Sequence, residues 1–176
     1  MTAARMSSVL ASLAFAAAAL ASPPACNAQE EGIALGVKAP AIVVKDLDGT
    51  PRDLGEVIGR KPVLLEFWAT WCTSCQAMMP ALSTMRERYG DAVAFYGVNV
   101  TISETRDGVR EYVKQHAPPF VVLYDEEGVA ARAYDPPATS YIVIMDAAGK
   151  VVYTGSGGQQ NLEPALRQVT GRGAGE

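Results

Sequence analysis

The stretch VLLEFWATWCTSC, Val63 to Cys75, constrains the fold more than any other part of the chain. Its first half is an apolar run bounded by Pro62, short enough for a strand and suited to a central strand buried on both faces. Its second half carries a Cys-x-x-Cys pair. From Cys72 to Tyr89 the pattern turns helical, with Ala77, Pro80, Ala81, Leu82 and Met85 along it and Gly90 at its end. A strand that hands over to a helix at two cysteines puts the first sulfur at the helix N-terminus. There, unpaired backbone N–H groups and the helix dipole favour a thiolate and lower the pKa of Cys72. Cys72 is therefore the expected nucleophile, and Cys75, one turn in, the resolving thiol.

Glu66 interrupts the apolar strand. With a period of two, Leu64, Glu66 and Trp68 share one face and Val63, Leu65 and Phe67 the other, and neither face is otherwise polar. A carboxylate among such neighbours has its charged form disfavoured and its pKa raised, which suits it to exchange a proton near neutral pH. Cys75 must lose a proton before it can attack a mixed disulfide, and a buried Glu66 nearby supplies that step. The alternative is a side chain that reaches solvent or pairs with a Lys or Arg, and spacing alone leaves the two equal.

Structural roles for the cysteines fit less well. A bridge between residues three apart closes too small a loop to constrain the unfolded chain much. A structural zinc site needs two further Cys or His ligands, and the chain offers only Cys26 and His116. His116 sits in KQHAPPF, at a helix end, and reads as an exposed C-terminal cap.

The rest of the chain alternates strands and helices. APAIVVKDLDGTPRDL reads as a strand and a turn at Asp48-Gly49, AVAFYGVNV as a second buried strand, and SETRDGVREYVKQH as an amphipathic helix with Ser103 as candidate N-cap. FVVLYD (strand), EEGVAARAY (short helix), SYIVIMD and VVYTG (strands around the AAGK turn) and NLEPALRQVT (helix) follow. This is one α/β domain with a central mixed β-sheet flanked by helices, over residues 31–171, with a disordered tail at 172–176. Pro80 is expected to bend the motif helix.

Residues 1–28 read as a leader: Arg5, an apolar run from Met6 to Ala21, then small residues. The run is shorter than the roughly 20 residues of a membrane-spanning helix. Cleavage after ALA or CNA would release the domain into an extracytoplasmic space. Alternatively PPAC resembles a lipoprotein signal that would lipidate Cys26, with Pro23 where a Leu-like residue is usual. The net charge of −4, with acids and bases interspersed, gives nucleic-acid binding no support.

FWATWCTSC, with Pro80 five residues after Cys75, resembles the thioredoxin superfamily. GVKAPAIVVKDLDG upstream, GVNV at Gly97–Val100 and DAAGKVVYTG near the end resemble its exported TlpA-like thiol–disulfide oxidoreductases, over roughly residues 35 to 170. The resemblance implies a thioredoxin-like fold and a protein disulfide reductase that needs no cofactor. It also implies a client protein with a disulfide, such as a cytochrome c apoprotein, and a membrane thiol electron donor, in the periplasm or tethered facing it. Thioredoxins carry a buried Asp six residues before the first motif Cys, the position of Glu66, where many TlpA-like proteins have Asn.

Two departures stand out. Met78 occupies a position where TlpA-like proteins usually have Glu. The superfamily's cis-proline falls on Thr139-Ser140, so Ser140 replaces it, and a non-proline cis bond costs about 3 kcal/mol, which favours trans. A differently looped chain would bring Pro137 to the sulfurs instead. Trp71, Thr73, Ser74, Thr139 and Ser140 are the residues expected to face a client, with Trp68 packing at the strand end. The rival reading from another class is copper(I) binding or delivery through the two thiols, with Met78 and Met79 beside them. Those methionines lie at adjacent helix positions and cannot both face the cysteines, so at least one is core filler.

Overall fold

In the computed structural model, which describes residues 32–172, the order is β1 (Val43–Asp46), β2 (Pro51–Asp53), a 3-10 turn (Leu54–Glu56), β3 (Val63–Trp68), α1 (Thr73–Tyr89), β4 (Ala94–Asn99), α2 (Arg106–His116), β5 (Val121–Tyr124), α3 (Val129–Tyr134), β6 (Tyr141–Met145), β7 (Val151–Ser156) and α4 (Glu163–Thr170). The leader, both of its cleavage readings and Cys26 lie outside the described residues, as do residues 173–176. Among the described residues, no helix is long and apolar enough to cross a membrane.

The strands form one sheet in the order β2-β1-β5-β4-β3-β6-β7. β3 lies parallel to β4 and antiparallel to β6, and β4 is parallel to β5, so the sheet is mixed, as the sequence pattern predicts. All six residues of β3 are buried, which explains why its apolar run is continuous rather than alternating. Its alternate side chains feed two cores. Leu64 and Trp68 pack with Cys72, Cys75, Met78 and Leu82 and with Val109 of α2 and Leu166 of α4. Val63, Leu65 and Phe67 pack on the other face with Leu54, Ala130 and Tyr134. Each large side chain buried in this way contributes about 1.5–3 kcal/mol.

Two local readings change. The cap of α2 is Thr105, not Ser103. Thr105 is extended (φ −113°, ψ 151°) and its side chain accepts the Gly108 N–H, whereas Ser103 has φ 56° and cannot occupy the extended cap conformation. The other change is at the tail, where Arg172 is held against the domain by an ion pair with Asp91 at 2.7 Å. Pro80 lies inside α1 on its exposed side, where its missing N–H leaves the Gln76 carbonyl without a helical donor.

Candidate active site

β3 ends at Trp68, and the turn Ala69–Trp71 carries the chain into α1. Cys72 caps that helix with an extended backbone (φ −78°, ψ 105°), and its sulfur accepts the Cys75 N–H at 3.0 Å. The 17-residue helix has no acidic side chain in its first turn to oppose a thiolate there. The two cysteines are joined as a disulfide with Cα atoms 5.2 Å apart. Cys72 keeps 4% of its surface exposed and Cys75 none, so only the first cysteine retains any surface that a partner could meet.

Glu66 is fully buried, and neither carboxyl oxygen has a hydrogen-bond partner among the described residues. Strand alternation directs it to the face of Leu64 and Trp68, the face on which both cysteines pack. Its neighbours in register are Gly97 on β4 and Ile142 on β6. The Phe120 ring lies over Gly97, so close that a Cβ there would fall 2.2 Å from it. This apolar cover excludes water, and burial pushes the Glu66 pKa up to about 8. The Trp68 indole N–H, on the same face, also lacks a partner. Burial, and after it the charge of Glu66, raise the pKa of Tyr112.

The residues expected to face a client separate in the structure. Trp71 is 49% exposed, Thr73 is exposed and Ser74 half-buried. Thr139 lines a groove of about 710 Å³ with Trp71, Ile102, Arg132 and Pro137, and neither Cys72 nor Cys75 is among its lining residues. Ser140 does not present its side chain. It is fully buried, at φ 60°, with its N–H donated to Phe67 O (2.8 Å) and its hydroxyl to Gly157 O (3.1 Å), so the start of β6 turns it inward. The Thr139–Ser140 peptide is trans, and none of the described residues has a cis bond. Met78 is buried in the packing layer of the cysteines and Met79 only partly. His116 is exposed and stacked on Tyr112, with its Nδ1–H donated to Tyr112 O. Among the described residues, no three His, Cys, Asp or Glu side chains converge as metal ligands.

Sequence reading missed Asn99, Glu104 and Gln76, which hold the turn before Cys72. Glu104 accepts the Thr70 N–H at 2.9 Å, and Gln76 donates to Thr70 O at 2.9 Å. Placing the α2 cap at Ser103 hid this, because it put Glu104 in the first turn of a solvent-facing helix.

The Redoxin family model matches residues 34–169. The chain is 33% identical over 141 residues to the thioredoxin-like protein YneN of Bacillus subtilis, covering 78% of this chain and 82% of that one. It is 34% identical over 149 residues to the thiol-disulfide oxidoreductase ResA of Bacillus thuringiensis, covering 81% and 82%. Among solved structures, it is similar to a secreted Mycobacterium tuberculosis disulfide oxidoreductase homologous to E. coli DsbE. That similarity is at 25% identity and a TM-score of 0.62, over 74% of this chain and 96% of that one.

Proposed function

The chain belongs to the Redoxin family, as a TlpA-like thiol–disulfide oxidoreductase of the thioredoxin superfamily, and from that premise we propose that it reduces disulfides in client proteins on the extracytoplasmic side of a membrane. The observation that carries the proposal is the buried, unpartnered carboxyl of Glu66 on the sheet face that packs Cys75. The Cys72 thiolate attacks one sulfur of the client disulfide. The Cys72–client bond forms, the client bond breaks, and the released client thiolate takes a proton from solvent. Glu66 then accepts the Cys75 proton, Cys75 attacks the Cys72 sulfur, and the second client thiolate leaves. Two electrons have passed to the client, and the Cys72–Cys75 disulfide is the oxidised product. A membrane thiol donor returns the pair to the dithiol by the reverse exchange.

Trp71, Thr73 and Ser74, beside Cys72 in the chain, and Thr139, which shares a groove with Trp71, are the residues that would meet the client. The extracytoplasmic setting is supported by the leader pattern and by the secreted relative, and lipidation of Cys26 would tether the protein there. Single-turnover reduction of insulin tests the role of Glu66. Glu66→Gln leaves the first exchange intact and slows resolution by Cys75 about 100-fold, in the range of general base catalysis. Resolution at the parental rate would remove Glu66 from the mechanism.

Copper(I) delivery is the second reading, and one observation favours it: Met78 is buried in the same layer as both sulfurs and could add a third soft donor. Equilibration with glutathione, metal-free and Cu(I)-loaded, separates the two. A two-electron transition near −270 mV with weak metal uptake supports the reductase. Tight Cu(I) binding that blocks oxidation supports delivery.

A further inference from the structure

The loop from β4 to α2 is fastened to the turn that precedes the nucleophile. Asn99, fully buried at the end of β4, donates its Nδ2–H to Glu104 Oε2 at 2.7 Å and accepts the Thr101 N–H on Oδ1 at 3.0 Å. The other oxygen of Glu104 accepts the backbone N–H of Thr70 across a separation of 34 residues. The Trp71 indole N–H donates back to Ile102 O at 2.8 Å. Within this loop Thr101 and Ser103 stand at φ 59° and 56°, a left-handed conformation that side chains of this kind disfavour. Such backbone persists where its surroundings over-determine it.

Resting on the oxidoreductase reading above, we propose that Glu104, oriented by Asn99, is a positioning residue for the thiol exchange: it fixes the Thr70–Trp71 turn and so sets the Trp71 indole and the Cys72 sulfur in the arrangement a client disulfide meets. Thr70 is half-buried and Trp71 half-exposed, so the turn gains little from burial, yet Glu104, Gln76 and the Ile102 carbonyl all bond to it. Exchange requires in-line approach of three sulfurs, and a misplacement of about 1 Å costs such a reaction roughly 100-fold.

The chemistry of the clasp supplies its own test. In Glu104→Gln, one amide oxygen can still accept from Thr70 or from Asn99, but the amide NH2 then faces the other donor, and one bond is lost. Combining Glu104→Gln with Asn99→Asp exchanges the two roles. The carboxylate introduced on β4 accepts both from the new amide NH2 and from the Thr101 N–H, while the amide oxygen accepts from Thr70, so every bond returns.

The experiment measures insulin reduction under dithiothreitol, at a temperature where all variants are folded, together with the hydrogen-exchange protection of the Trp71 indole N–H by NMR. We expect E104Q to reduce insulin about tenfold more slowly and to lose indole protection, and the double variant to recover both. An E104Q protein with parental rate and protection would overturn the proposal. So would a double variant that regains thermal stability and indole protection but not rate. The indole readout needs no client, so it still judges Glu104 if the parent protein leaves insulin untouched and the oxidoreductase reading falls.

Discussion

Replacing Glu66 by Gln isolates the cost of burying an ionisable group with no partner. An acid whose pKa is higher folded than unfolded takes up protons on folding. Its contribution to stability is therefore complete below the unfolded value and is lost as pH rises toward the folded one. For Glu66 the window runs from 4.5 to about 8. The whole shift corresponds to roughly 5 kcal/mol at about 1.4 kcal/mol per pKa unit, of which about 3 kcal/mol falls between pH 5 and pH 8. The Gln variant leaves a buried amide with its own penalty, but that penalty does not change with pH. Urea unfolding of the oxidised parent and of E66Q at pH 5, 6, 7 and 8 should thus give a difference that moves in favour of E66Q by about 3 kcal/mol across the range. All other titrating groups cancel between the two proteins. A difference that moves by less than about 1 kcal/mol would refute the reasoning, because it would mean that the carboxyl keeps an ordinary pKa in the folded protein.

Four other substitutions probe the site and the fold. Cys75→Ser should trap a covalent Cys72–client complex, visible as a mass shift removed by dithiothreitol, whereas Cys72→Ser should trap none; equal trapping by both would reverse the assignment of nucleophile and resolving thiol. Gly97→Ala forces a methyl group to within 2.2 Å of the Phe120 ring and should cost about 1–3 kcal/mol in urea unfolding. A loss under about 0.5 kcal/mol would show that Phe120 is free to move off Gly97, the neighbour of Glu66 in register. Asp125 is buried and accepts the N–H groups of Ala130 and Ala131 at the start of α3, whose cap Gly128 has no side chain to do so. Asp125→Ala should therefore cost about 1–2 kcal/mol, read from the same unfolding assay, and unchanged stability would mean that water replaces the cap.

The sequence by itself determined β3, the helix that follows and the place of the two cysteines between them. Apolar continuity, the change of period and the Gly90 stop are properties of near neighbours. The same local logic put Glu66 on the face of Leu64 and Trp68. Whether that face is dry could not be read locally, because it depends on Phe120, 54 residues further on, lying across Gly97, and on β6 closing the other side. The inward turn of Ser140 and the joining of Glu104 to Thr70 are likewise contacts between segments far apart in the chain. Hydrogen-bond partners at such separations leave no periodic trace, and a cap residue two positions from the expected one changes which side chain is free to make them. Periodicity records which face a residue belongs to, and only the packed chain decides what covers that face and therefore how its charges behave.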